Sequence, residues 1–117
     1  MADAAVMELD AGSLRAAQDG EAPLLIDFWA PWCGTCRLLA PALAKLGGTL
    51  DGLRVGKVDV AAHGELAEDF GVQGLPTLVL VQGHEELLRL TGLHSLATLT
   101  AAIEPHLPQT PHQTEGA

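Results

Sequence analysis

Two cysteines, Cys33 and Cys36, are separated by two residues, and the 117-residue chain contains no others. If Cys33 opens a helix, both sulfurs lie on one side of its first turn, and the Cα atoms fall within the range that a disulfide requires. Cys33 would then lie where free backbone N–H groups and the positive end of the helix dipole stabilise a thiolate. Because the thiolate is the nucleophile, we expect Cys33 to attack a disulfide and the more buried Cys36 to resolve the mixed disulfide.

Two other interpretations of the cysteine pair are open. A zinc site typically needs four ligands, whereas the chain has no third cysteine and its five histidines show no paired ligand spacing. An inert pair of small core residues would need neither Gly34 between the cysteines nor Trp32 directly before them. The sequence therefore favours a redox pair, and we expect no metal.

Asp27 is an acid inside the otherwise apolar run 23–29. Burial there would raise the pKa of its carboxyl, because a low dielectric disfavours the charged form. A buried carboxyl near Cys36 could accept the proton of that thiol through a water molecule. Lys57 could modulate Asp27 if the two strands pair. The alternative is a solvated aspartate at the end of the strand with a structural role.

Three of the four aromatic residues lie just before Cys33, namely Phe28, Trp29 and Trp32. This placement favours a flat apolar surface beside the sulfur, with Trp32 exposed. The alternative is that both tryptophans belong to the core.

The elements that must position these residues alternate between strand and helix. Apolar runs and alternating patterns predict strands at 6–9, 23–29, 52–60, 77–81 and 86–91. Helical spacing predicts helices at 10–18, 33–46, 63–71 and from Ser95 onward. The second helix has its apolar positions at Leu38, Leu39, Ala42, Leu43 and Leu46, and Pro41 should kink it. The pattern indicates an α/β domain with a mixed sheet.

Length and composition favour one domain at 1–107 and a polar, flexible tail at 108–117. Hydrophobic residues make up 48% of the chain, so a core can form without a framework of disulfides. The net charge of −9 argues against nucleic-acid binding, which needs clustered cations, and is explained by a solvated acidic surface.

The N-terminal segment is acidic and lacks the basic and apolar regions of a signal peptide. Apolar runs are shorter than the roughly 18 residues of a membrane span. We therefore expect a cytoplasmic protein without a membrane partner, acting as a monomer. In the cytosol a close cysteine pair is more often catalytic or metal-binding than structural.

Three segments resemble the thioredoxin family. Residues 28–36, FWAPWCGTC, are similar to the active-site pattern of an aromatic-rich strand end followed by Trp-Cys-Gly-Pro-Cys. Residues 71–81, GVQGLPTLVLV, resemble the segment in which an aliphatic residue, proline and threonine open a strand. Residues 91–99, TGLHSLATL, resemble the glycine loop before the last helix. The resemblance extends over about residues 6–107.

The resemblance implies a thioredoxin fold, with a central mixed β-sheet flanked by helices. It implies that the Leu75–Pro76 bond is cis and packs against the cysteines. It also strengthens the assignment of Asp27 as a buried acid with Lys57 as its neighbour. The implied substrate-binding groove is formed by Trp32, Gly34, Thr35, Leu75, Pro76, Gly92 and Leu93.

The activity that the resemblance implies is that of a protein-disulfide reductase acting on disulfide-containing proteins. No cofactor would be bound, and a thioredoxin reductase would supply electrons from NADPH to the Cys33–Cys36 disulfide. Two alternatives stay open: an isomerase- or oxidase-like enzyme with a more oxidising potential, and a peptide-binding module without redox activity.

Thr35 stands where general reductants of this family have proline. Threonine restores a backbone N–H that could point toward Cys33 and stabilise its thiolate. One pKa unit of such stabilisation corresponds to about 1.4 kcal/mol, or about 30 mV toward a more oxidising potential. We therefore expect Thr35→Pro to lower the reduction potential, measured by equilibration in thiol–disulfide buffers. An unchanged or higher potential would contradict this role of Thr35.

Overall fold

The computed structural model describes residues 6–108, so the predicted tail at 108–117 lies outside them apart from Pro108. The described residues form five strands: β1 (Met7–Glu8), β2 (Leu24–Trp29), β3 (Arg54–Asp59), β4 (Thr77–Gln82) and β5 (Glu85–Thr91). Their helices are α1 (Ala11–Gln18), α2 (Gly34–Thr49), α3 (Gly64–Asp69) and α4 (Leu96–Ile103), which a 3-10 turn at Glu104–His106 extends. Within this part of the chain, no helix is long and apolar enough to span a membrane.

The strands form one sheet in the order β1-β3-β2-β4-β5. Both β1 and β2 run parallel to β3, whereas β4 runs antiparallel to β2 and to β5. The expected central mixed sheet, with its C-terminal hairpin, is confirmed.

The central strand β2 carries two cores, one on each face of the sheet. Leu25 belongs to a cluster with leucines of α2 and with Leu99 and Ile103 of α4. Ile26 and Phe28 belong to a second cluster, which includes residues of α1 and α3. Because side chains two residues apart share a face, Asp27 lies on the face of Leu25, which α2 covers.

Helix α2 is longer than its apolar spacing predicts, because it ends at Thr49 rather than Leu46. The N–H of Leu50 bonds to the carbonyl of Leu46 at 2.8 Å, and both leucines are buried. Packing of Leu50 therefore carries the helix through another turn. Pro41 lies inside the helix, and Leu38 is exposed rather than part of the apolar face.

Gly56 allows β1 to lie close against β3. Met7 is its partner in the parallel ladder, and a Cβ placed on Gly56 would lie 2.5 Å from Cδ1 of Leu9. Leu9 is itself buried, at 5% exposure, so its side chain has little room to move away. The glycine therefore fixes how β1 sits at the edge of the sheet.

We expect Gly56→Ala to reduce the free energy of unfolding by about 1 to 3 kcal/mol, the usual effect of overpacking. Urea unfolding of the oxidised protein measures this value. Gly64→Ala is the matched control, since its Cβ would meet no heavy atom within 4 Å and a helical alanine is favourable. Equal stability of Gly56→Ala and the parent would show that β1 does not need the close approach.

Candidate active site

Cys33 and Cys36 form a disulfide with Cα atoms 5.3 Å apart, within the usual range. Cys33 is the N-cap residue of α2, and its Sγ accepts a hydrogen bond from the backbone N–H of Cys36 at 3.2 Å. An N-cap side chain commonly makes this bond to the third helical residue. Cys36 is the more buried of the two, at 3% against 8% exposure, as expected.

Thr35 contacts Cys33 through its side chain. Its Oγ1 lies 3.4 Å from the Sγ of Cys33, so the hydroxyl can donate a hydrogen bond to the sulfur, which carries no proton in the disulfide. The sequence-based expectation assigned a backbone donor to Thr35, but the N–H that bonds to Sγ is that of Cys36. Cys36 is the third residue of the helix, one of the two positions whose N–H an N-cap side chain commonly accepts.

Asp27 is buried in the middle of β2, at 4% exposure. Its ladder partners are Lys57 on β3 and Leu78 on β4. Within the described residues its Oδ1 has no hydrogen-bond partner. Burial raises the pKa of Asp27 from 3.8 to about 7, and the positive charge of Lys57 acts in the opposite direction. The carboxyl therefore titrates near neutral pH, the range in which general acid–base groups are most efficient.

The pairing of β2 and β3 brings Lys57 beside Asp27, which confirms that the two strands are neighbours. Its Nζ lies 4.9 Å from the centre of the Trp29 ring and 4.0 Å from Oε2 of Glu8. Sequence reasoning missed Glu8. The sequence shows an acidic residue in the short first strand, but only the register between β1 and β3 reveals that it is the neighbour of Lys57.

The Leu75–Pro76 peptide bond is cis, as the resemblance implied. Leu75 packs against the buried cluster of Ala30 and the two cysteines. The carbonyl of Pro76 accepts a hydrogen bond from the N–H of Gly92 at 2.9 Å. Gly92 has a φ of +86°, which suits a residue without a Cβ. These contacts connect the loop before α4 to the proline and the disulfide.

Two large apolar side chains of the expected groove are exposed. Trp32 is 71% exposed, which confirms the prediction for this residue, and Leu93 is 50% exposed. A Cβ on Gly34 would meet no heavy atom within 4 Å, so the surface beside Cys33 is open. Leu38 adds a further exposed side chain, at 67%, which the helical spacing had assigned to the core side.

Residues 6–108 contain no group of three or more His, Cys, Asp or Glu side chains arranged to hold a metal ion. The chemistry of this site lies in the disulfide at the start of α2 and in the groups around it. Such an arrangement defines the class of thiol–disulfide exchange proteins, in which a capped cysteine lies beside a cis-proline on a mixed sheet.

The chain belongs to the thioredoxin family, whose family model, described as Thioredoxin, matches residues 9–105. It is similar to Thioredoxin 1 of Nostoc sp., with 32% identity over 105 residues that cover 89% of this chain and 98% of the relative. It is also 37% identical to the bifunctional thioredoxin reductase/thioredoxin of Mycobacterium leprae over 87 residues, 74% of this chain and 19% of that longer protein.

Among solved structures, a mutant thioredoxin from Halobacterium salinarum is similar, with a TM-score of 0.81 and 30% identity. The match covers 95% of this chain and 98% of that one. The fold is therefore the thioredoxin fold, and the chain is a thiol–disulfide oxidoreductase, a protein-disulfide reductase. Thioredoxins act on disulfide substrates and need no bound cofactor.

Asp27→Asn should make stability depend less on pH. Folding raises the pKa of Asp27, so its protonated form contributes full stability below about pH 4, and this contribution is lost as the pH rises through about 7. The shift from 3.8 to about 7, at about 1.4 kcal/mol per unit, sets an upper limit of about 4 kcal/mol. The free energy of unfolding of Asp27→Asn, relative to that of the parent, should therefore be higher at about pH 8 than at about pH 4.

Urea unfolding of the oxidised protein at both pH values measures this gain. Exposed Asp51→Asn is the matched control, because it makes the same change from carboxyl to amide at the protein surface. If Asp27→Asn differs from the parent by the same amount at both pH values, the carboxyl does not titrate in this range.

Proposed function

We propose that Cys33-Gly34-Thr35-Cys36 is the active site at which this chain reduces protein disulfides. The Cys33 thiolate attacks one sulfur of the substrate disulfide, so a mixed disulfide forms and the other substrate sulfur leaves as a thiolate. The Cys36 thiolate then attacks the Sγ of Cys33, and the second substrate thiolate leaves. The substrate gains two electrons, and the Cys33–Cys36 dithiol becomes a disulfide.

The observation that carries this proposal is the position of Cys33 as the cap of α2. Its Sγ accepts the Cys36 N–H at 3.2 Å and lies 3.4 Å from the Thr35 hydroxyl. Both donors favour the thiolate over the thiol, and the positive end of the helix dipole acts in the same direction. The same stabilisation makes Cys33 a good leaving group when Cys36 attacks it.

Asp27 is proposed as the proton acceptor for Cys36 in the resolving step, with a water molecule between them. Support comes from its burial, from its place on the sheet face that α2 covers, and from a pKa of about 7. A base that titrates near the working pH is partly ionised there and still binds a proton well. Lys57 is proposed to set that balance through its positive charge.

The substrate is proposed to bind as an extended segment along the surface beside Cys33. The exposed ring of Trp32 and the side chain of Leu93 supply apolar area, and Gly34 leaves room for a backbone. The segment before the proline would pair with the substrate backbone. The proposed contact residues are Trp32, Gly34, Thr35, Leu75, Pro76, Gly92 and Leu93.

A thioredoxin reductase that uses NADPH is proposed to return electrons to the disulfide. The relative from Mycobacterium leprae, named as a bifunctional thioredoxin reductase/thioredoxin, supports such a partner. We propose the cytosol as the compartment, because cytosolic thiols are kept reduced. One chain holds both cysteines, so the exchange needs only a monomer.

The contact of Thr35 with Cys33 favours one second candidate, an isomerase- or oxidase-like enzyme. Added stabilisation of the thiolate makes the disulfide easier to reduce, which raises the potential. The reduction potential of the Cys33–Cys36 couple separates the two functions. A value near about −270 mV fits a reductant, whereas about −180 to −120 mV fits isomerases and strong oxidants.

Reduction of insulin by NADPH and a thioredoxin reductase tests the proposed cycle. Cys33→Ser should lower the rate to background, because no nucleophile remains to open the substrate disulfide. Cys36→Ser should also stop turnover but should accumulate a covalent mixed disulfide, which mass spectrometry under non-reducing conditions detects. The two variants are matched controls for each other, since each loses one sulfur. Full activity of Cys33→Ser would contradict the role of Cys33 as the nucleophile. Insulin reduction no faster than background with the parent protein would instead indicate a peptide-binding module.

A further inference from the structure

Three ionisable residues form a row across three neighbouring strands. Glu8 on β1 is the ladder partner of Lys57 on β3, and Lys57 is the ladder partner of Asp27 on β2. Ladder partners point to the same face of a sheet, so the side chains of Glu8, Lys57 and Asp27 lie side by side. Glu8, the outer acid of the row, is exposed, and Asp27, the inner acid, is buried.

Within this row, the Lys57 ammonium is closer to the outer acid. Its Nζ lies 4.0 Å from Glu8 and over the Trp29 ring, whereas Asp27 makes no ion pair with it within 4.0 Å. Asp27 also keeps an oxygen without a hydrogen-bond partner among the described residues. The lysine therefore acts on Asp27 from a distance.

The other charged groups near Lys57 are engaged elsewhere. A cleft of about 370 Å³ is lined by Glu8, Trp29, Lys57, Asp10, Asp59 and His63. Asp10 caps α1 through the N–H of Ser13, and Asp59 accepts the N–H of Ala61. His63 lies 4.0 Å from Glu65. In the described part of the chain, Glu8 is thus the carboxylate that pairs with Lys57.

We propose that Glu8 is a positioning residue for proton transfer at the active site, because it holds the Lys57 ammonium over Trp29 and away from Asp27. The inference rests on the proposed role of Asp27 as proton acceptor. A lysine in full contact with Asp27 would stabilise the carboxylate and make it a weaker base. Glu8 therefore keeps the inner acid able to take a proton near neutral pH.

The test is the titration of Asp27 in the oxidised full-length protein, followed by NMR of carbon-13-labelled aspartate carboxyls. In this form the cysteines do not titrate, so the curve reports the carboxyl and its charged neighbours. Glu8→Gln should lower the pKa of Asp27 by about half a unit to one unit, since the ammonium becomes free to approach it. Glu8→Asp, which keeps the charge, should stay closer to the parent than Glu8→Gln.

Two controls separate positioning from a general effect of charge. Glu85→Gln removes an exposed glutamate from β5, at the opposite edge of the sheet, and should leave the titration unchanged. In a Lys57→Met background, Glu8→Gln should no longer shift the pKa of Asp27, because the ammonium is absent. The methylene protons next to Nζ of Lys57 should also lose part of their ring-current shift from Trp29 in Glu8→Gln.

An unchanged titration of Asp27 in Glu8→Gln, or a shift of equal size without Lys57, would overturn the proposal. Glu8 is 85% exposed at its side chain, so these variants should fold. Failure of the proposed function gives a different result: Asp27→Asn would keep full activity in the insulin assay. The titration of Asp27 in the Glu8 variants does not depend on turnover, so it tests the positioning role of Glu8 independently of the insulin assay.

Discussion

The hydrogen bond from the Cys36 N–H to the Sγ of Cys33 is the contact on which the active site depends. It satisfies a backbone donor that the first turn of α2 would otherwise leave free, and the acceptor is the sulfur of Cys33, the proposed nucleophile. The helix therefore begins directly after this cysteine. Both cysteines are fixed in one turn, and the disulfide closes without displacing the backbone.

The same arrangement places the site beside the hydrophobic core. Helix α2 buries Leu39, Leu43 and Leu46 against the sheet, so its first turn has a fixed position above β2. Asp27 is on that sheet face, and its Oδ1 accepts no hydrogen bond from any residue in the range 6–108. A buried carboxyl lowers the stability of the fold whenever it is ionised. The core must offset this cost, and the result is a carboxyl with a pKa of about 7.

At the β1 edge of the sheet, the interaction between the charges of Glu8 and Lys57 fixes the position of the lysine side chain. Gly56 lets the two-residue strand β1 approach β3, and this approach puts Glu8 opposite Lys57. The exposed carboxylate lies in water, whereas the partly buried ammonium covers the ring of Trp29. A short edge strand can thus influence a buried acid two strands away through one lysine.

Local interactions explain what the sequence alone determined. The spacing of Cys33 and Cys36, the apolar run around Asp27 and the alternation of strands with helices all depend on residues near one another in the chain. They were sufficient for the fold class, the burial of Asp27 and the exposure of Trp32. The resemblance to a family added the cis bond before Pro76, which no local pattern reveals.

Only the tertiary structure decided the contacts between distant segments. The last turn of α2 depends on where Leu50 packs. The row of Glu8, Lys57 and Asp27 depends on the register of three strands, and one residue of slip would turn each side chain to the other face. Register is fixed by the whole buried sheet, so no single segment of the sequence contains it.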